Sequence, residues 1–140
     1  MAGGSAQAAT CSPSMDRLPF QFRALQSRLM VAALTCDVRT QYNDFVVRFQ
    51  AALARNGRAL DGTFRRIYGA AAERQLNRFI TELANDDSIA SIHDRAQFCA
   101  DAQATLVKLA SLREDEVDAF TRDRYASAKV EEKICTASRK

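Results

Sequence analysis

Pro19-Phe20-Gln21-Phe22-Arg23-Ala24-Leu25-Gln26-Ser27-Arg28-Leu29-Met30-Val31-Ala32-Ala33-Leu34-Thr35-Cys36 carries the decisive pattern of this chain. Phe22, Leu25, Leu29, Ala32, Ala33 and Cys36 recur at three- and four-residue steps, the period of an α-helix that buries one stripe. Pro19 fits the first turn of such a helix, where its missing N–H costs nothing. From Leu29 to Leu34 the segment is apolar on nearly every side, which predicts a central helix enclosed most deeply there. That apolar run is six residues long, far short of the roughly 18 of a membrane span, so no transmembrane segment is expected.

The same period continues outward. Thr40 reads as the N-cap of a second helix with the stripe Tyr42, Phe45, Val46, Phe49, Ala52 and Leu53, and Asn56-Gly57 reads as its stop. A short third helix carries Leu60, Phe64, Ile67 and Tyr68 up to Gly69, which either ends or kinks it. The stripe then resumes with Ala72, Leu76, Phe79, Ile80 and Leu83. Asn85-Asp86-Asp87-Ser88, a cluster of turn formers, is expected to open a helix with Ile89, Ile92, Ala96, Cys99, Ala102, Leu106, Leu109 and Ala110 inward. Ser111-Leu112-Arg113-Glu114 matches a capping box and starts a sparser last helix through Val117 and Phe120.

Composition agrees with a helical reading. Of 140 residues, 47% are hydrophobic and 26% charged, which excludes wholesale disorder, while 5 Gly and 2 Pro are too few for a turn-rich all-β protein. The expected fold is all-α, a disulfide-stapled bundle of four to five helices. Its divisions are a flexible arm over 1–18, a bundle core over 19–112 and a helical tail over 113–140 packed on or across the bundle.

Cys11, Cys36, Cys99 and Cys135 show no C-x-x-C spacing, so neither a zinc knuckle nor a thioredoxin-like pair is indicated. Four cysteines allow three connectivities. The nested one joins Cys36 to Cys99, both on apolar stripes, and Cys11 to Cys135 across the terminal segments. Each bridge would close a long loop and add about 3–5 kcal/mol through the unfolded state. Four reduced thiols, two of them core fillers, are the alternative. Met1–Ala9 has neither a charged n-region nor an apolar h-region, so no signal peptide is visible in this chain. Ala6-Gln7-Ala8 nonetheless fits the small-x-small pattern that signal peptidase cleaves, and reads either as the remnant of a leader or as a plain Ala/Gly/Ser terminus. With the cysteines, the expectation is an exported protein of the periplasm or cell exterior.

Several chemistries lack their residues. His93 is the only histidine, so paired Glu-x-x-His motifs and an H-E-x-x-H helix are absent, as is C-x-x-C-H. Haem held between a methionine and His93 is outweighed by ordinary coil and core roles for Met15 and Met30. His93 beside Asp94 reads as a surface or cap residue. Asp86-Asp87 and Glu114-Asp115-Glu116 read as helix-start carboxylates that complement the dipole, not as an acid–base pair. There is no phosphate loop and no nucleophile elbow. No catalytic, cofactor-binding or metal residues are assigned, no cofactor is expected, and the protein is read as a non-enzyme.

Charge is segregated along the chain. The overall charge is +3, yet residues 39–78 carry eight arginines against Asp44, Asp61 and Glu73, a net of +5. Residues 79–118 carry nine acids against Arg95, Lys108 and Arg113, a net of −6. A basic face centred on Arg55, Arg58, Arg65 and Arg66 could meet an acidic partner surface. The competing reading is that the two segments pack together and neutralise each other. Nucleic acid is not expected, because the aromatics fall on apolar stripes and no recognition helix follows a short turn.

Ala24–Cys36, Tyr42-Asn43-Asp44-Phe45, Leu76-Asn77-Arg78-Phe79 with Leu83-Ala84-Asn85, and Phe98-Cys99 together resemble a group of small, uncharacterised secreted α-helical proteins of Gram-negative bacteria. The resemblance spans roughly residues 22–110 and implies export and a Cys36–Cys99 disulfide; it implies no activity. Cys11, Cys135 and the tail lie outside it. The expected function is that of a non-catalytic, exported structural, accessory or protein-interaction subunit of an envelope or extracellular assembly, acting on a protein partner or by self-association. The runner-up is a periplasmic chaperone or enzyme inhibitor, and the third reading a bundle that binds a small ligand.

Overall fold

The structure is a computed structural model that describes residues 16–125 and Cys135. Six α-helices follow one another: α1 (Leu18–Thr35), α2 (Arg39–Arg48), α3 (Gln50–Tyr68), α4 (Ala72–His93), α5 (Arg95–Ala110) and α6 (Val117–Arg124). Short 3₁₀ turns at Gly69–Ala71 and Glu114–Glu116 connect the last turns, and no strand occurs among the described residues. The fold is all-α. The hydrogen-bond ladder runs through the bend at Phe49, with Phe49 N–H donating to Phe45 O at 3.0 Å and Leu53 N–H to Phe49 O at 2.9 Å. Counted as one kinked rod, α2 and α3 bring the number of helices to five.

α1 is central because it packs against every other helix and separates two core clusters. Phe22, Leu25, Leu29 and Ala32 face a cluster completed by Phe45, Phe49, Phe98, Leu106, Leu109 and Val117. Phe20 and Ala24 face the other, where Phe20, Phe64 and Phe79 form a ring triangle with centroids 5.5–5.8 Å apart. Burying such a side chain contributes about 1.5–3 kcal/mol, so a helix apolar on two sides is the largest single contributor to the core. The deepest part of α1 is its N-terminal two-thirds, from Leu18 to Leu29, not Leu29–Leu34: Leu34 is 68% exposed. A helix buried where it crosses its neighbours emerges where the shorter ones end.

Four expected boundaries lie elsewhere. Asn56-Gly57 does not stop a helix; Asn56 is buried inside α3 and its amide donates to Ala52 O at 2.9 Å, one turn back. Asn85–Ser88 lies within α4 and opens nothing, because Asp87 is drawn to tertiary partners: it accepts the Ser27 hydroxyl at 2.8 Å and pairs with Arg28 at 3.6 Å. The true N-cap of α5 is Asp94, whose carboxylate accepts Gln97 N–H at 3.1 Å. Ile89 and Ile92 therefore do not share a buried face with α5, and stand 64% and 82% exposed. Ser111 donates to Lys108 O and finishes α5, while Glu116 accepts Arg113 N–H at 2.8 Å and begins the next turn. The cap of α2 falls at Val38 rather than Thr40. Gly69 ends α3, with φ +58° and ψ −122°.

Cys36 and Cys99 form a disulfide, S–S 2.08 Å and Cα–Cα 5.4 Å, tying the end of α1 to α5. Cys135 is buried and also disulfide-bonded. The pairing expected for it, with Cys11, and residues 1–15 of the arm expected over 1–18 lie outside the described residues, while Leu18 is buried and already opens α1.

Candidate functional site

Three surface features were built from the helices upward: a groove, a basic face and a smaller cleft. The groove, about 760 Å³, lies between α2 and α5. Its floor is the buried Phe45, Phe49, Leu106 and Leu109, and its lips are Val47 and Val107, 73% and 72% exposed. Two aliphatic side chains this open, facing one concave apolar surface, leave that surface wet at a free-energy cost that a docked partner would remove. The rim is polar. Asp44 on it makes no ion pair with any described residue, whereas Arg48 is spent on the fold, donating from Nε and Nη2 to Leu112 O at 3.1 and 2.9 Å. That pair of hydrogen bonds closes the loop after α5 against α2, so one wall of the groove is fixed in place.

The arginines singled out from the charge pattern do share α3, on its exposed side, but they are not one free patch. Arg55 is committed to Asp118 of α6 through bonds of 2.9 and 2.8 Å, a bridge from the basic to the acidic half of the chain. Arg65 pairs with Asp61 one turn back at 2.8 Å. Arg58 and Arg66 are exposed and make no ion pair among the described residues. Both readings of the charge segregation thus have a share: among the described residues two ion pairs cross the halves, Arg55–Asp118 and Arg78–Glu82 at 3.4 Å, and two of the four arginines make none. Surface pairs of this type are worth at most about 1 kcal/mol each.

The cleft lies among α1, α3 and α4 and encloses about 360 Å³. Arg23, half-buried on α1, is the one charged residue lining it among the described residues. Nη1 donates to Gln26 Oε1 at 3.2 Å, but Nε is buried without an acceptor and no carboxylate among the described residues approaches the guanidinium. Burial lowers its pKa from the ordinary arginine value, partly offset by the Tyr42 phenol. The sequence reading passed over Arg23 because it sits between core positions as an apparent surface residue. A charge flanked by Phe22 and Ala24 inside the most buried helix was the available signal.

His93 is exposed in the last turn of α4. Asp86 and Asp87 sit deep within α4 and are not dipole partners at its start, while Glu114–Glu116 do precede α6. Among the described residues no group of three or more His, Cys, Asp or Glu gathers where it could hold a metal ion, and no described helix is long and apolar enough to cross a membrane. No protein-family model, curated protein or solved structure matches the chain.

Proposed function

We propose that this chain is an exported, non-catalytic accessory or interaction subunit of an envelope or extracellular assembly, and that it engages a protein partner through the α2–α5 groove. The observation that carries the reading is the pair Val47 and Val107, exposed on the two lips of an apolar groove whose floor belongs to the main core. Helix-lined grooves of this kind accept an amphipathic segment laid along them, with aliphatic anchors at helical spacing. Export is supported by disulfide use, which an oxidising compartment maintains. Arg58 and Arg66, without an ion pair among the described residues, add two cations on α3 for an acidic partner surface.

A chaperone or inhibitor is the second reading, favoured by Ile89 and Ile92, a further exposed aliphatic pair one helical turn apart at the end of α4. Site-specific photo-cross-linking in the producing cells separates the two. A photoreactive residue at position 47 or 107 is expected to trap one discrete partner, and Val107→Asp to abolish the adduct formed from position 47. Adducts from position 92 with many unrelated chains would replace the accessory reading with the chaperone one. Adducts from position 58 alone would move the interface to the basic face of α3.

A further inference from the structure

We propose that the cleft among α1, α3 and α4 binds a small amphipathic carboxylate, its apolar tail on Phe22, Leu53, Leu60 and Ile80 and its carboxylate on the Arg23 guanidinium. This site is separate from the α2–α5 groove and does not depend on it. A cleft of about 360 Å³ is within the range of small-molecule sites, which are mostly apolar with a few placed polar groups. This one has that make-up: aliphatic and aromatic walls, Gln26 and Asn56 as neutral polar groups, and one cation.

The cation has no counterion among the described residues. Half-buried charges are ordinarily paired, because the loss of hydration is otherwise uncompensated. Gln26 holds one nitrogen, Asn56 spends its amide N–H on Ala52 O, and the buried Nε finds no acceptor. An anion entering the cleft would meet the guanidinium at its Nη nitrogens, where arginine presents two parallel donors to a carboxylate and lysine only a point charge. Ala54 and Gly57, both exposed and small, leave the α3 side of the mouth open, with nothing within 4 Å of where a Gly57 Cβ would stand.

The test uses the full oxidised chain, octanoate as probe, and octanol and octylammonium as controls of equal tail. Calorimetric or NMR titration is expected to give octanoate at least tenfold tighter binding than octanol and no binding of octylammonium, with amide shifts at Leu53, Gly57 and Ile80. Arg23→Gln is expected to weaken octanoate at least tenfold while leaving octanol unchanged. Arg23→Met, which removes an unpaired cation from an apolar wall, is expected to raise the thermal midpoint of the ligand-free protein. Equal binding of octanoate and octanol, shifts confined to Val47 and Val107, undiminished octanoate binding by Arg23→Gln, or a lowered midpoint in Arg23→Met would each overturn the proposal.

Discussion

At Gly69 the backbone takes φ +58° and ψ −122°, a region that a residue with a Cβ enters only at a cost of about 1–2 kcal/mol. Gly69→Ala is expected to lose about that much stability. Gly62, inside α3 with open space around a would-be Cβ, should behave oppositely, and Gly62→Ala is expected to gain about 0.5–1 kcal/mol. Denaturant midpoints of the two variants at constant slope check both signs. A third residue reports on pH. Burial pushes the Tyr125 phenol up to about 12, against the lowering pull of Arg28 and Arg124. Its folded-state pKa lies above the unfolded value near 10, so the stability it contributes is complete below pH 10 and is lost as pH rises toward 12. The drop is of the order of 2 kcal/mol at one site. Rapid unfolding measurements across that window are expected to show this loss in the wild type and a reduced one in Tyr125→Phe; identical curves would contradict the assignment.

Helix boundaries are where local chemistry and tertiary packing compete. Asp94 caps α5, so Asp94→Ala is expected to cost about 1 kcal/mol, whereas Ser88→Ala, inside α4, should change stability by no more than about 0.5 kcal/mol. The reverse ranking, read from urea midpoints, would put the helix start back at Asn85–Ser88. The existence of the helices was readable from period alone, because Phe22, Leu25 and Leu29, or Phe45 and Phe49, are core residues whichever helix end is chosen. Gly69 was readable as a disruption, since glycine is the one residue at ease there. The break at Phe49 was not, for nothing in its local chemistry forbids helix; a fully buried ring fixes the bend. Asn56 and Asp87 misled for one reason. Short polar side chains favour caps when they compete for nearby backbone, but here Asn56 back-bonds within its own helix and Asp87 reaches across to α1.

At the scale of the whole molecule, a stripe predicts burial but not which exposed residues meet. The Arg55–Arg66 cluster could be found by counting charges along the chain, although Asp118 as the partner of Arg55 could not. The α2–α5 groove was invisible for the same reason: Val47 and Val107 are 60 residues apart and lie off their helices' stripes. Arg23 drew no assignment from the sequence, because only the packing of α3 and α4 against α1 half-buries it. The staple that orders these elements is Cys36–Cys99, spanning 63 residues. Closing a loop of that length removes unfolded-state entropy worth about 4 kcal/mol, so the Cys36→Ala/Cys99→Ala double variant is expected to lose about that much, seen as a lower denaturant midpoint.

The proposed export in the oxidised state joins the fold to the proposed function, and the intact mass of native-source protein, alkylated before and after reduction, tests it most directly. The account predicts no alkylated thiol before reduction and four after it. Alkylation of Cys36 and Cys99 without reduction would contradict it, making them core residues of a chain kept in a reducing compartment.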